Sequence, residues 1–188
     1  MPSKDSENIA EWYDVLSQNY DELYGEEQGK KYSKVLERLG NREFRLAIDV
    51  GCGNGILLEL ISARCQLALG IDLSVRMLKE AKLRTKKSTV DWIRADASHL
   101  PLRNHLADGV ISVSMLVSGP IFMKHFRELS RIATENATLI FTIFLDKNQI
   151  AGALFDGNTE PATSLSEREQ LYLIDRTAGV KGSSASRL

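Results

Sequence analysis

Long hydrophobic runs, a leader-like start, a cysteine framework and an excess of one charge are all missing from this chain. The longest apolar stretches, near residues 110–118 and 137–145, fall short of the roughly 18 residues that a membrane-spanning helix needs. No membrane partner is expected. The N-terminus, MPSKDSENIAEWYDV, has no apolar core of the kind that directs secretion. Cys52 and Cys65 are the only cysteines, and their spacing suits neither a metal site nor a disulfide framework. A reduced, cytoplasmic setting is expected. A net charge of −1 argues against a surface devoted to phosphate backbones, although a local basic patch stays open. No cluster of acids suggests a metal. What remains is a soluble globular chain of 188 residues, long enough for one core, and a single domain over 1–188 is expected.

The pattern along the chain changes once. Residues 6–39 read as two helices, with GEEQGK (25–30) as the break between them. After Gly40, short apolar runs alternate with amphipathic segments. FRLAIDV, LALGID, VDWIRA, ADGVISVS and ATLIFTIFL read as five strands. Between the first two lies a helix from about Ile56 to Cys65. Ser74 stands where an N-cap belongs for VRMLKEAKLRTKK. Pro120 suits the first turn of a helix through IFMKHFRELSRIA, whose Phe122, Phe126 and Leu129 share a face. Strands alternating with helices predict an α/β fold: an open, mostly parallel, doubly wound sheet with helices on both faces. This core spans 45–147. Over 148–188 the signal weakens to a loop, one strand in QLYLIDRT, and a short strand or frayed end in GVKGSSASRL.

The first strand runs into LAIDVGCGNGILLEL, where Gly51, Gly53 and Gly55 follow Asp49. Glycine costs backbone entropy, so three in five residues imply a turn that only glycine allows. In an open α/β sheet such a turn, between the first strand and its helix, borders the ligand site. A dinucleotide fingerprint, G-x-G-x-x-G, would need glycine at position 56, where Ile56 stands. Asp72 closes the second strand and suits a carboxylate that accepts ribose hydroxyls; a nicotinamide site would want it too. Asp96 closes the third and could accept an exocyclic amino group. Each acid alone reads equally well as a cap or turn residue. Three acids at the ends of three consecutive strands favour a site.

AIDVGCGNG, GIDLS, RADASHLPL and DGVISVS, in this order and spacing, resemble the motifs of class I S-adenosylmethionine-dependent methyltransferases. The likeness is to the broad group that includes the ubiquinone and menaquinone methyltransferases, and it covers about residues 9–145. YDVLSQNYDELY is similar to the tyrosine-bearing lead helix of that group, which implies a lid over the cofactor. The resemblance implies that Asp49 and the turn Gly51, Cys52, Gly53, Asn54 and Gly55 hold the methionine part of S-adenosyl-L-methionine. It implies that Asp72 takes the ribose hydroxyls and Leu73 lies against the adenine. Asp96 and Ala97 would read the adenine edge. Ser112, Ser114 and Met115 would line the cofactor near the transferred methyl, and Met77 completes the set.

Other residues are ambiguous or bland. Tyr13, Tyr20 and Tyr24 recur at helical spacing, which usually means core. An aromatic face also attracts a sulfonium cation, so Tyr13 and Tyr20 stand equally as core or site. His99 reads as a turn residue, and His125 as surface or packing. KLRTKK and KKYSK read as solvated helix faces. No general base is visible, which fits either an acceptor that is already nucleophilic or a base that the sequence does not reveal. SVSMLVSGP lacks the Asn/Asp-Pro-Pro-aromatic motif of nitrogen methyltransferases, and no Pro-Cys nucleophile appears. A small-molecule acceptor is favoured, with RNA open. The alternatives are a non-catalytic cofactor-binding partner subunit and, behind it, an NAD-dependent oxidoreductase. A partner subunit or a second copy of the chain is also open.

Overall fold

The computed structural model describes residues 4–85, 87–144, 163–166 and 168–176. The chain starts with helix α1 (Lys4–Leu16), a 3-10 turn (Ser17–Asn19) and helix α2 (Tyr20–Leu39). Strand β1 (Phe44–Val50), helix α3 (Ile56–Ile61), strand β2 (Cys65–Asp72), helix α4 (Val75–Arg84) and strand β3 (Val90–Arg94) follow. Then come β4 (Ala107–Val117), α5 (Pro120–Ile132), β5 (Ala133–Phe144) and β6 (Glu169–Asp175). The predicted strands are all present, and Ser74 caps α4 by accepting the Met77 amide at 3.1 Å. The break between the first helices falls at 17–19, not at GEEQGK. Added side chains at Gly25 and Gly29 would meet none of the described residues; both glycines sit inside α2, where each costs only about 1 kcal/mol against alanine. Helix α4 stops at Arg84, three residues before the predicted end. The reading of GVKGSSASRL falls outside the described residues.

The six strands run in the order β3-β2-β1-β4-β5-β6. All neighbours are parallel except β5 and β6. Alternation along each strand divides the core in two. Ile48, Val50, Val110, Leu139 and Phe141 face α5, which contributes Phe122, Leu129 and Ile132. Ala47, Ala68, Ile111 and Ile140 face Val35 and Leu39 of α2 and Leu57, Leu58 and Ile61 of α3. Order reverses between β1 and β4, so their carboxyl ends diverge and open a crevice. The glycine turn lies at that switch point.

Candidate cofactor and acceptor site

The turn after β1 has left-handed backbone at Gly51, Gly53 and Gly55, with φ of 78°, 53° and 79°. The Gly51 and Cys52 amides both donate to the Ile71 carbonyl, at 2.8 and 3.0 Å, so β2 holds the turn open. Asp72, at the end of β2, completes the anchorage: its carboxylate accepts the Gly53 amide and the Ser74 amide, each at 2.8 Å. A strand-end acid facing a cleft is expected to support little of the fold. This one pins the turn and the start of α4 together. Burial pushes its pKa up, against the pull of those backbone donors.

A cleft of about 560 Å³ opens at this point. Of the residues expected at the site, Tyr13, Tyr20, Gly51, Cys52, Gly53, Asn54, Asp72, Leu73, Met77, Asp96, Ala97, Ser114 and Met115 line it. Asp49, Gly55 and Ser112 do not, and each has a physical reason. Asp49 is 2% exposed, behind the turn, and burial followed by the charge of Asp72 pushes its pKa to about 7. The Cβ position of Gly55 points at Trp92 and Ala81, away from the cleft. Ser112 is fully buried on β4, paired with Phe141 and so turned toward the α5 side. Cys52 is buried, and desolvation pushes its thiol pKa well up, which disfavours the thiolate form. Asp96 serves also as a turn residue, accepting the Ser98 amide at 2.8 Å and the Ser98 hydroxyl at 2.7 Å.

Over the cleft lie the tyrosines. Tyr13 is 6.5 Å from Tyr20, which is 5.2 Å from Tyr24, centroid to centroid. Tyr13 and Tyr20 are half-buried and stand on the cleft wall. Asp14 fastens this lid: its Oδ1 accepts the Ser74 hydroxyl and the Arg76 amide. No sequence signal marked Asp14, because its partners lie on α4.

Three further features escaped sequence reading. His125 lines the cleft, with its Nδ1 buried and without a hydrogen-bond partner among the described residues, and burial holds the imidazole pKa down. Lys31, within KKYSK, is not solvated; it is 4% exposed. Its ammonium meets Glu169 Oε2 at 2.7 Å and Glu27 Oε1 at 2.8 Å. Glu169 is fully buried and also accepts the Thr142 hydroxyl at 2.6 Å and the Ser114 hydroxyl at 3.0 Å. Ser114 itself has φ of 58°, in a register break of β4 between Ser112 and Leu116. That break turns its hydroxyl to the cleft.

The family described as Methyltransferase domain matches residues 48–141, half of the chain, including the glycine turn and the ends of β2 and β3. The chain belongs to this family, whose cofactor is S-adenosylmethionine and whose members have the class I, Rossmann-like fold. The ubiquinone biosynthesis O-methyltransferase of Nitrosomonas europaea is 32% identical over 111 residues, covering 57% of this chain and 47% of the relative. Among solved structures, the N-methyltransferase NodS of Bradyrhizobium japonicum with S-adenosylhomocysteine superposes with a TM-score of 0.65 at 15% identity. It covers 79% of this chain and 87% of NodS. A Haloferax volcanii complex of the Trm112 methyltransferase activator with a methyltransferase gives 0.64 at 19% identity, covering 70% of this chain and 59% of that one. The chain spans about half the length of the curated relatives it matches. Among the described residues no helix is long and apolar enough to cross a membrane.

Proposed function

We propose that the chain transfers a methyl group from S-adenosylmethionine to a small-molecule acceptor. The observation that carries this is the convergence of the glycine turn, Asp72, Asp96 and the tyrosines on one cleft of about 560 Å³, within the 300–1,000 Å³ typical of small-ligand sites. The donor set fits the cofactor: two carboxylates for hydroxyl and amino groups, an aromatic lid for a cation, and an orphaned His125 Nδ1 on the wall. Asp72 would hold the ribose, Leu73, Met77, Asp96 and Ala97 the adenine, and Gly51–Asn54 the methionine part. The bound cofactor supplies an electrophilic methyl; the protein's task is alignment and exclusion of water.

The character of the lining supports a small acceptor over RNA. Among the described residues that line the cleft there is no lysine or arginine to neutralise phosphates. Trp12 and Val117, which do line it, are about half exposed at its rim. We expect labelled methyl from S-adenosylmethionine to appear in the metabolite fraction of a cell extract. Label in the RNA fraction alone would overturn the acceptor assignment.

A second reading makes the chain a cofactor-binding subunit that acts only beside a partner. The Haloferax complex with an activator favours it, as do the exposed Val15 and Leu23 on the lid helices. Tight binding of S-adenosylhomocysteine, with label in neither fraction, would support this reading against the first.

A further inference from the structure

We propose that Ser114 and Glu169 form a proton relay that serves a hydroxyl-bearing acceptor. The inference rests on the methyl-transfer reading above and supplies the base that the sequence does not reveal.

The relay begins at the cleft wall. Ser114 lines the cleft, and its hydroxyl donates to Glu169 Oε1 at 3.0 Å. Ser114 Oγ in turn accepts from Lys31 Nζ at 3.2 Å and from Gln28 Nε2 at 3.5 Å. The Gln28 contact is long and weak, and Gln28 is itself a cleft residue. An acceptor hydroxyl that displaced it would donate its proton to Ser114 Oγ. Behind Ser114, Glu169 is fully buried, and among the described residues the Ser114 hydroxyl links it to the cleft.

Topology explains why a residue from the far end of the sequence stands there. Strand β6 is antiparallel to β5, and Glu169 pairs with Phe144. The start of β6 therefore lies at the carboxyl end of β5, the edge where the cleft opens. A parallel last strand would have carried Glu169 to the opposite edge.

Charge makes the cluster able to take a proton. Among the described residues, the groups around Glu169 are Lys31 and Glu27 on α2, Ser114 on β4 and Thr142 on β5; the phenols of Tyr13 and Tyr20 lie within electrostatic reach of Lys31 and Glu27. Two carboxylates share one ammonium, so the cluster carries one net negative charge. One added proton leaves a neutral Glu169 beside a neutral Lys31–Glu27 pair. Lys31 is held charged by its two carboxylates, which outweigh its burial.

The step balances. The acceptor oxygen forms its bond to the methyl carbon as the carbon–sulfur bond breaks and its electron pair goes to sulfur. The acceptor proton moves to Ser114 Oγ while the Ser114 proton moves to Glu169 Oε1. S-adenosylhomocysteine, the methyl ether and a protonated Glu169 result. Such general-base help is worth about 10²–10⁴ in rate. The acceptor class is a phenol or enol, whose hydroxyl becomes a good nucleophile only as its proton leaves.

The test uses the full chain, labelled S-adenosylmethionine and the metabolite fraction of a cell extract across a range of pH. Wild-type transfer should rise with pH on the acidic side. Glu169→Gln keeps an oxygen for Ser114 and Thr142 but takes no proton; transfer should fall roughly 100-fold and lose that rise. Its affinity for S-adenosylhomocysteine should stay within about threefold, since Glu169 lies away from the expected cofactor contacts. With S-adenosylhomocysteine bound, infrared difference spectra of wild type on acidification should show a protonated-carboxyl band that Glu169→Gln lacks. Ser114→Ala keeps the Lys31–Glu169 pair and provides a second variant if Glu169→Gln fails to fold; it too should lose the pH-dependent rise. Wild-type-like transfer and pH profile in either folded variant, or an unchanged band, would overturn the relay. No label from wild type overturns the methyl-transfer reading itself, and the relay falls with it.

Discussion

Replacing Asp72 by alanine takes away an acceptor from two backbone amides, those of Gly53 and Ser74, as well as the expected ribose contact. Two charge-assisted hydrogen bonds to ligand are worth roughly 1.5–3 kcal/mol each, partly restored by water, so affinity for the cofactor should fall about 30- to 1000-fold. The free protein should also lose about 1–3 kcal/mol, because buried amides are left unpaired. A dissociation constant for S-adenosylhomocysteine and a melting curve without ligand give the two numbers. Loss of stability with unchanged affinity would remove the ribose role. Asp49 gives a prediction in pH. Its pKa is raised to about 7 by burial and by Asp72, from about 3.9 in the unfolded chain. Between those values the unfolded state releases a proton that the folded state keeps. Its contribution is therefore full below about pH 4, falls as pH rises, and is gone above about pH 7, a change of up to roughly 4 kcal/mol. Asp49→Asn should flatten this slope in melting temperatures measured across the window. An equal slope in wild type and variant would show that Asp49 does not titrate there.

At the scale of elements, the glycine turn and the lid lock are held by different means. Gly55→Ala would place a Cβ 2.6 Å from Trp92 Cη2 and 2.9 Å from Ala81 Cβ, at φ of 79°. Strain and overpacking together should cost about 3 kcal/mol. Gly53→Ala, at φ of 53° with nothing near its Cβ, meets the backbone term alone, about 1–2 kcal/mol. Denaturant midpoints should rank the two in that order, and equal losses would contradict the packing shown around Gly55. The Lys31–Glu169 pair locks α2 to β6. Lys31→Met leaves a buried carboxylate without its cation and should cost about 3–5 kcal/mol. Adding Glu169→Gln should return much of that loss; a single-variant loss below about 1 kcal/mol would show that the pair is not desolvated. The two features differ in how far the sequence reveals them. The turn is legible because its causes are local: three glycines, an acid at the strand end and an apolar run on each side. The lock is not, because KKYSK looks like any solvated helix face until β6 is folded against β5. The misplaced helix break has the same origin. Glycine suggests an interruption, yet among the described residues nothing packs where a side chain at Gly25 or Gly29 would stand.

Over the whole molecule, alternation of apolar runs made the parallel sheet readable before any contact was known, and the switch point followed from strand order. The lid was readable only in part, since its attachment through Asp14 to Ser74 and Arg76 joins segments far apart in sequence. That attachment makes the site a composite: α1 and α2 supply residues such as Trp12, Tyr13, Tyr20 and Gln28, while the ends of the sheet strands, the loops after them, α4 and α5 supply others. A ligand that fills the cleft must then bind both parts at once and stabilise the fold by mass action. With S-adenosylhomocysteine at about 100 times its dissociation constant, the gain is about 2.7 kcal/mol. For a chain of this size that corresponds to roughly 5–10 °C in melting temperature. NAD at the same concentration should leave the melting temperature unchanged, because Ile56 occupies the place of the third dinucleotide glycine. The stabilisation should also be visible where the lid is. Amide exchange in α1 and around Tyr20 should slow on binding, since the local opening that exposes them requires the lid to leave the ligand. Exchange that slows in β1 and β2 but not in the lid would show that the cofactor binds without the tyrosines. Their aromatic face would then belong to the core alone.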